Sequence, residues 1–484
     1  MNSNDSRKHI INGMAWKMGE RLISQGVSFV VSIVLARLLQ PDDYGLIALI
    51  TIFINVASVF ITSGFATALI QKKDANNTDF STIYYCSQVF SIFLYLILFF
   101  MAPFVASFYQ REELILLLRV FAIQIPLSVY NSIQVAYVSR HMNFQKIFSA
   151  SAISAAVSGI IGILLAYLGA GVWALVSQTL AATVVNTVVM QITVPWHPNR
   201  TFSKESAKPL MKYGSRILIA DLSGTFFGEL RSLIIGKVYT SSDLAFYSKG
   251  QQIPTMITSN LGNTIMTVMF PALANENDDI NQVKQMAKRS MKVLSYLLVP
   301  CMLGLAAVMR PLVLLLFTDK WEQMVPYAQV LCIGNCVGVF GVVSLQVLKA
   351  IGRSDVVFKL EIWKKPVYVI LLILGVHINV FAIAVTMAVY DIYGVFVNML
   401  QLKKYINYGL REQIRDLLPA FLLGVAMAIV VYFLPSLDSL ILTLLVKILV
   451  GAIIYLVGSM IFKIETFQYL LAVVRETVKG KVKK

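Results

Sequence analysis

The stretch LARLLQPDDYGL at residues 35–46 has a counterpart 200 residues later, IGKVYTSSDLAF at residues 235–246. In each, an apolar run ends at a cation, a short polar turn carries an aspartate, and a second apolar run begins. The cations are Arg37 and Lys237, and the aspartates are Asp43 and Asp243. The pattern is typical of a corner between two helices. Its repetition indicates that a larger unit of the chain is repeated.

The composition is that of a membrane protein. Of 484 residues, 57% are hydrophobic and only 14% are charged, and the mean hydropathy is +0.73. Apolar residues come in runs of about twenty, which is the length of an α-helix that crosses the hydrocarbon core. The runs lack the strict alternation of outer-membrane strands. The N-terminal sequence is polar and then amphipathic, so we expect no cleavable signal peptide.

Fourteen membrane spans are predicted from these runs. Lys and Arg are distributed unevenly around them: 27 lie in or within a turn of the inner loops and tails, and five lie in the outer loops. Basic residues collect on the cytoplasmic side, so both termini are expected in the cytoplasm. The net charge of +16 is then explained by topology, and we expect no nucleic-acid binding. The predicted spans are about 14–37, 45–70, 82–106, 113–138, 145–168, 171–193, 211–237, 244–270, 292–317, 323–348, 357–376, 380–401, 416–434 and 439–462.

Further matches extend the repeat beyond the corners. RVFAIQIPLSVYN from Arg119 resembles QVLCIGNCVGVFG from Gln329, at an offset of 210. We therefore predict an all-α integral membrane protein with two six-helix bundles in parallel orientation and two further helices. Transporters with parallel repeats bind cargo between the halves and expose it alternately on each side. The predicted regions are an N-terminal lobe at 1–193, a cytoplasmic linker at 194–210, a C-terminal lobe at 211–402, two added helices at 403–462 and a basic cytoplasmic tail at 463–484.

Polar side chains follow one face of the first two helices of each lobe. A groove would result if these helices faced each other, and the alternative is hydrogen bonding that only holds helices together. Asp221 and Glu229 are interpreted as partners of nearby arginines or as protonation sites. The residues predicted to bind cargo are Arg21, Gln25, Arg216, Arg231, Lys249, Asn55 and Arg119, and those predicted for ion coupling are Asp221, Glu229 and Glu20.

Other cations within the spans are expected to extend along the helix to the headgroups. This interpretation covers Lys17, Lys447 and the pair Lys364 and Lys365. Prolines inside spans can bend helices and provide hinges.

Known catalytic and metal-binding patterns are missing. The four cysteines fall in predicted spans without a metal-type partner, the histidines lie at tails or span ends, and no phosphate-binding loop occurs. We therefore expect no enzymatic activity, no metal and no cofactor. A membrane glycosyltransferase or polymerase would need a large outer loop with catalytic side chains, and no predicted outer loop is that long.

Four segments resemble a known family: LARLLQPDDYGLIAL, SLIIGKVYTSSDLAFYSKGQQIP, the long run from MFPALANENDD to TDKW, and LKAIGRSDVVFKLEIWKK. They are similar to the Wzx-type, colanic-acid-exporter-like polysaccharide flippases of the multidrug/oligosaccharidyl-lipid/polysaccharide (MOP) superfamily. The resemblance covers nearly the whole chain. It implies a flippase of the bacterial inner membrane with two bundles around a cationic cavity, acting in exopolysaccharide or lipopolysaccharide synthesis.

The cargo that the resemblance implies is an undecaprenyl diphosphate-linked oligosaccharide. Membrane lipids, a polysaccharide polymerase and glycosyltransferases are the implied partners. One departure from the family is Arg231, which stands where members tend to carry an acid, and this puts a coupling role for that position in doubt. The alternative within the superfamily is a multidrug or cation antiporter, for which buried carboxylates rather than arginines are expected.

Overall fold

The computed structural model describes residues 25–62, 68–70, 72, 74–275 and 279–472. Throughout this part of the chain the regular structure is helical, so the prediction of an all-α protein is confirmed. Contacts divide the chain into two compact units, residues 1–245 and 246–484.

Among its described residues, the first unit contains eight helices of nine residues or more and the beginning of another. In chain order they are α1 Gln25–Leu38, α2 Pro41–Thr62, α3 Asn77–Tyr109, α4 Glu113–Phe121, α5 Gln124–Arg140, α6 Phe144–Tyr167, α7 Val172–Thr193 and α8 Lys204–Val238. Helices α6 and α7 form a tightly packed hairpin, and α2 packs against α8. The helices α4 and α5 together make one predicted span with a break around Ala122.

The second unit begins within α9, Ser241–Asn275. A short 3-10 turn at Asp319–Trp321 separates its next two helices. Helix α11 packs against α13, α10 against α14, and α12 against α13. The remaining helices are α10 Ile280–Phe317, α11 Met324–Ala350, α12 Ser354–Val376, α13 Val380–Ile406, α14 Leu410–Phe433 and α15 Leu440–Ile461, followed by a helix at 465–472.

Within the described residues, which leave out 63–67 of the second predicted span, every predicted span coincides with one helix or two consecutive ones, and several helices are longer than the hydrocarbon core requires. Helix α8 begins at Lys204, so it includes the last seven residues of the predicted linker. Helix α10 begins twelve residues before its predicted span. The first predicted span begins at residue 14, and its first eleven residues lie outside the part that the structure describes. Polar ends of this kind let a helix extend beyond the membrane into water.

Among the described residues, ten helices are long and apolar enough to cross a membrane by length and composition, with α4 and α5 counted as one. The other four that match predicted spans are α1, described over 14 residues, and α8, α9 and α12. Helix α8 carries Arg216, Asp221, Glu229 and Arg231 within its length, which explains its lower apolarity. Because polar groups in lipid need partners, polar helices of a membrane protein face other helices or water.

The boundary at residue 245 is set by contacts, whereas the boundary of the predicted repeat is set by the order of helices in the sequence. Helix α8 packs against α2 and α3, so contacts group it with the first unit. The repeat concerns the sequence of helices rather than their contacts. The lobes at 1–193 and 211–402 therefore stay a prediction.

Candidate functional site

The two corners of the repeat have the same local structure. At the start of α2, the backbone N–H of Gln40 donates to Oδ2 of Asp43 at 3.0 Å. At the start of α9, the backbone N–H of Thr240 donates to Oδ2 of Asp243 at 3.1 Å. A carboxylate in the first turn satisfies an N–H that the helix cannot bond and also favours the helix dipole. The repeated aspartate thus begins the second helix of each corner.

The two corners also touch each other within the first unit. Gly45 of α2 lies directly against the backbone of Ser241, where an added Cβ would overlap the carbonyl group. The Ser241 hydroxyl donates to the Asp42 carboxylate, and Asp42 accepts a second, charged hydrogen bond from Arg111. Glycine is required here because the two backbones approach too closely for any side chain.

From this corner inward, α2 and α8 run antiparallel. Leu49 lies against Gly236, again where a Cβ has no room. One and a half turns further in, Asn55 Nδ2 donates to Glu229 Oε1 at 2.8 Å. With a rise of 1.5 Å per residue, Asn55 lies about 21 Å from the start of α2. The amide and the carboxylate therefore meet near the middle of the membrane.

Asn55 and Glu229 are two of the residues predicted from the polar stripes, and the structure brings them together. Glu229 is half-buried, and Asn55 is exposed on one side. A carboxylate at this depth is costly unless it is hydrogen-bonded or reached by water. Asp221 lies on the same helix two turns closer to its start and is exposed. The contact marks where the polar faces of α2 and α8 meet.

Three other predicted residues are half-buried. They are Gln25 on α1, Arg231 on α8 and Lys249 on α9. Each takes part in further polar or electrostatic interactions. Arg231 lies two residues after Glu229, and Lys249 lies in the second unit, where α9 continues.

Arg119 lies apart from the other predicted residues. Its Nε donates to the carbonyl oxygen of Phe99 at 3.2 Å, and its guanidinium stacks on the Phe99 ring at 4.2 Å from the centroid. Both contacts hold α4 against α3. A role for Arg119 in cargo binding stays a prediction, as do the roles of all the residues predicted to bind cargo or couple an ion.

The structure does not describe the side chains of the remaining predicted residues. Glu20 and Arg21 precede its first residue, Gln25. Arg216 lies in the described backbone of α8, but its side chain is not described.

Two of the other span cations are largely buried and have partners within the protein. The Lys364 side chain is only 7% exposed, and its Nζ pairs with Glu361 one turn earlier in α12. Lys447 is 6% exposed and donates to the carbonyl oxygen of Tyr432, one residue before the end of α14, at 3.3 Å. That these cations extend along the helix to the headgroups stays a prediction. Lys365 is half-buried.

Sequence reasoning missed two clusters. One is Asp42, Arg111 and Ser241 where the two corners meet, for which Arg111 was counted only as a loop cation. The other is the pair of Glu361 and Lys364, whose spacing of three residues on a predicted helix is itself a signal for an ion pair. Within the described residues, no group of three or more His, Cys, Asp or Glu could hold a metal ion.

The chain is similar in sequence to proteins of polysaccharide biosynthesis. A family model described as "Polysaccharide biosynthesis protein" matches residues 34–326. The succinoglycan biosynthesis transport protein ExoT of Rhizobium meliloti is 23% identical over 72% of this chain and 71% of its own length. The lipopolysaccharide biosynthesis protein WzxC of Escherichia coli is 22% identical over 76% of this chain and 75% of its own. The resemblance to Wzx-type proteins is confirmed by these matches.

Solved structures show the same fold. The lipid II flippase MurJ in its inward closed conformation superposes with a TM-score of 0.73, at 15% identity over 93% of this chain and 98% of that one. An inward-facing multidrug resistance transporter of the MATE family in the MOP superfamily gives 0.61, at 13% identity over 80% of this chain and 98% of that one. The predicted MOP fold is confirmed, and the chain is a multi-pass membrane protein.

Proposed function

Because the chain belongs to the polysaccharide biosynthesis protein family, we propose that it is a flippase for lipid-linked oligosaccharides. Its cargo is an undecaprenyl diphosphate-linked repeat unit, which it carries outward across the bacterial inner membrane, with both termini in the cytoplasm. The names of the relatives, a transport protein for succinoglycan synthesis and a protein of lipopolysaccharide synthesis, support the proposal. The fold shared with a lipid II flippase is consistent with it.

The observation that carries the proposal is the contact between Asn55 and Glu229. It connects two membrane helices at mid-depth through a carboxylate, and α8 is too polar to be surrounded by lipid. Apolar seams are sufficient to hold membrane helices together, so a charged group at this depth supports a water-accessible path. A polar path within the membrane is what a sugar headgroup needs.

The chemistry of the cargo matches the cations that the helices of this site carry. A diphosphate requires donors in a partly dehydrated environment, and arginine offers two parallel N–H groups that suit phosphate oxygens. Arg231 and Lys249 are both half-buried, and Arg21 and Arg216 are proposed to join them. Amide and hydroxyl groups such as those of Gln25 and Asn55 suit sugar hydroxyls.

The close contact of the corners supports alternating access. The outer ends of α2 and α9 are held together by the contacts of Gly45, Ser241, Asp42 and Arg111. In the proposed cycle, this outer contact separates to release the cargo and forms again before the next cargo enters from the cytoplasmic side. The Asn55–Glu229 hydrogen bond lies at the inner limit of the closed segment.

The proposal is tested by depletion of the protein in its native cell. Lipid-linked repeat units should accumulate in the inner leaflet, as measured by leaflet-selective labelling of the sugars. Arg231→Gln and Lys249→Met should each lower export about tenfold or more, since a charge-assisted hydrogen bond contributes about 1.5–3 kcal/mol.

Arg310→Gln is the matched control. Arg310 is exposed and pairs with Glu322 at 2.8 Å, away from the proposed path, so export should stay unchanged at equal protein level. Normal export by the Arg231 and Lys249 variants would overturn the cationic site. Export of cationic drugs without accumulation of lipid-linked sugars would favour an antiporter instead.

A further inference from the structure

The second unit contains a charged pair inside a membrane helix. Nζ of Lys364 contacts Oε1 of Glu361 on α12, and the lysine side chain is 7% exposed while that of the glutamate is 42% exposed. Lys364 lies about 15 Å from the start of α12, at 1.5 Å per residue. Glu361 lies about 10.5 Å from that start, so the pair lies in the first half of α12, inside the predicted span, and only its acidic member is open to the surroundings.

The adjacent helix α13 adds a second carboxylate. Asp391 lies in a notch formed by two glycines of α11: a Cβ at Gly334 would be 3.2 Å from its Oδ2, and one at Gly338 would be 3.8 Å from its Cβ. Tyr390, which precedes Asp391 on α13, packs its ring against that of Tyr368 on α12. The two rings hold α12 and α13 together next to the two carboxylates.

Among the described residues, helices α12 and α13 carry further ionisable groups beside Glu361, Lys364 and Asp391. Helix α12 adds Lys365, which interacts with Glu361 and Lys364, and Tyr368, whose ring packs on Tyr390 at 5.1 Å. Helix α13 adds Tyr393. With two carboxylates and two ammonium groups, the cluster is neutral in its ionised form.

A charged side chain within the hydrocarbon is costly, and membrane proteins place such groups where they serve transport. Packing of α12 on α13 does not require the pair, because Glu361 and Lys364 lie on the same helix. Glu361 is a poor ligand for a metal cation, because the Lys364 ammonium already lies at hydrogen-bond distance from its carboxylate and would repel the cation. The species that Glu361 can exchange is a proton.

We propose that Glu361 and Lys364 form a proton-binding site in the second unit that couples proton entry to the transport cycle. The inference rests on the proposed function and names its coupling ion. A proton from water adds to the Glu361 carboxylate, which becomes a neutral carboxylic acid, and no other bond changes. The net charge of the cluster rises from zero to plus one.

Protonation of Glu361 removes the partner that holds Lys364. The stem of Lys364 lies against Gly394 of α13, where a Cβ would be 3.7 Å from its Cδ, and Gly394 is one turn from Asp391. The ammonium then turns to the Asp391 carboxylate on the other helix. An ion pair within α12 becomes an ion pair between α12 and α13, which changes how the two helices pack.

Proton binding is measured directly on the purified full-length protein. Infrared spectra at a series of pH values should show the carbonyl bands of the 25 Asp and Glu side chains as they become protonated, and Glu361→Gln should remove one band that lies apart from those of carboxyl groups in water. Glu412→Gln, which alters a carboxylate that pairs with lysines near the end of α14, should keep the band. Persistence of the band in Glu361→Gln would overturn the proposal.

Coupling is measured by flipping of lipid-linked sugar in proteoliposomes with an imposed pH gradient. The double variant Glu361→Gln with Lys364→Met replaces the ion pair by neutral side chains of similar size, which protects folding. We expect it to flip without acceleration by the gradient, whereas the wild type accelerates severalfold. An unchanged response would mean that the pair is only structural. The wild type could flip no sugar while the infrared band is still absent from Glu361→Gln. In that case the proposed function fails and the proton site stands.

Discussion

At the scale of single residues, the contact between the two corners and the packing of α2 on α8 each depend on a glycine. Gly45 and Gly236 leave no room for a Cβ, because the backbone of Ser241 and the side chain of Leu49 occupy that space. The cost of a Cβ differs between them. Leu49 can change its rotamer, whereas the Ser241 backbone must move and take the start of α9 with it.

Gly45→Ala should therefore destabilise the protein by about 1–3 kcal/mol, the usual cost of overpacking. It should also reduce export, because the outer contact could no longer close. Gly26→Ala is the control: Gly26 has no atom within 4 Å of an added Cβ, so alanine there should be neutral or stabilise α1 by up to about 1 kcal/mol. Thermal unfolding in detergent measures both changes. Equal stability of the two variants would contradict the close contact.

At the scale of elements, local sequence predicted the helices but not their partners. Apolar runs predicted the helices, and ten of those in the described residues are long and apolar enough to cross a membrane. The repeated aspartate predicted the corner. Both signals depend on neighbouring residues in the chain. The pairing of Asn55 with Glu229 depends on how α2 lies against α8, across 174 residues. A stripe on each helix is visible in sequence, but the residues that face each other are fixed by close contacts such as that of Leu49 with Gly236.

The ion pairs around the start of α10 illustrate the same limit. Lys292 on α10 contacts Glu465 at 2.7 Å and Asp416 on α14 at 3.4 Å, and Arg289 stacks on Tyr469. Sequence alone assigned these lysines and arginines to a basic loop that orients the protein. In the structure they also hold the helix at 465–472 against α10.

Docking of the helix at 465–472 should depend on pH. The hydrogen bond from Lys292 holds the pKa of Glu465 below its usual value. A lowered carboxyl pKa contributes stability at neutral pH that is lost as pH falls through that lowered value. Because Glu465 is largely exposed, the contribution is at most about 1 kcal/mol. The amide protection factors at 465–472, which correct for the slower intrinsic exchange in acid, should fall on acidification in the wild type.

In Glu465→Gln, the protection factors of this helix should already be lowered at neutral pH and change less on acidification. Lys463→Gln is the control, because Lys463 is an exposed neighbour for which the structure gives no ion pair with Glu465. Identical pH profiles for the wild type and Glu465→Gln would contradict this role of Lys292.

At the scale of the whole molecule, the proposed cargo makes export sensitive to the membrane potential. A diphosphate carries about two negative charges, and an inside-negative potential drives them outward. The gain is about 2.3 kcal/mol per charge per 100 mV, or about 4.6 kcal/mol for the cargo. At 1.4 kcal/mol per tenfold, this corresponds to an outward accumulation on the order of a thousandfold.

Collapse of the potential in proteoliposomes, with potassium and valinomycin on both sides, should abolish this accumulation while flipping continues in both directions. Leaflet-selective cleavage of the sugar measures the distribution. The double variant Glu361→Gln with Lys364→Met should keep the response to the potential and lose the response to the pH gradient, because it alters the proton site and leaves the cargo charge unchanged. An accumulation that ignores the potential would mean that the cargo crosses with its charge compensated by a cation, and the diphosphate would then not be the species that the field drives.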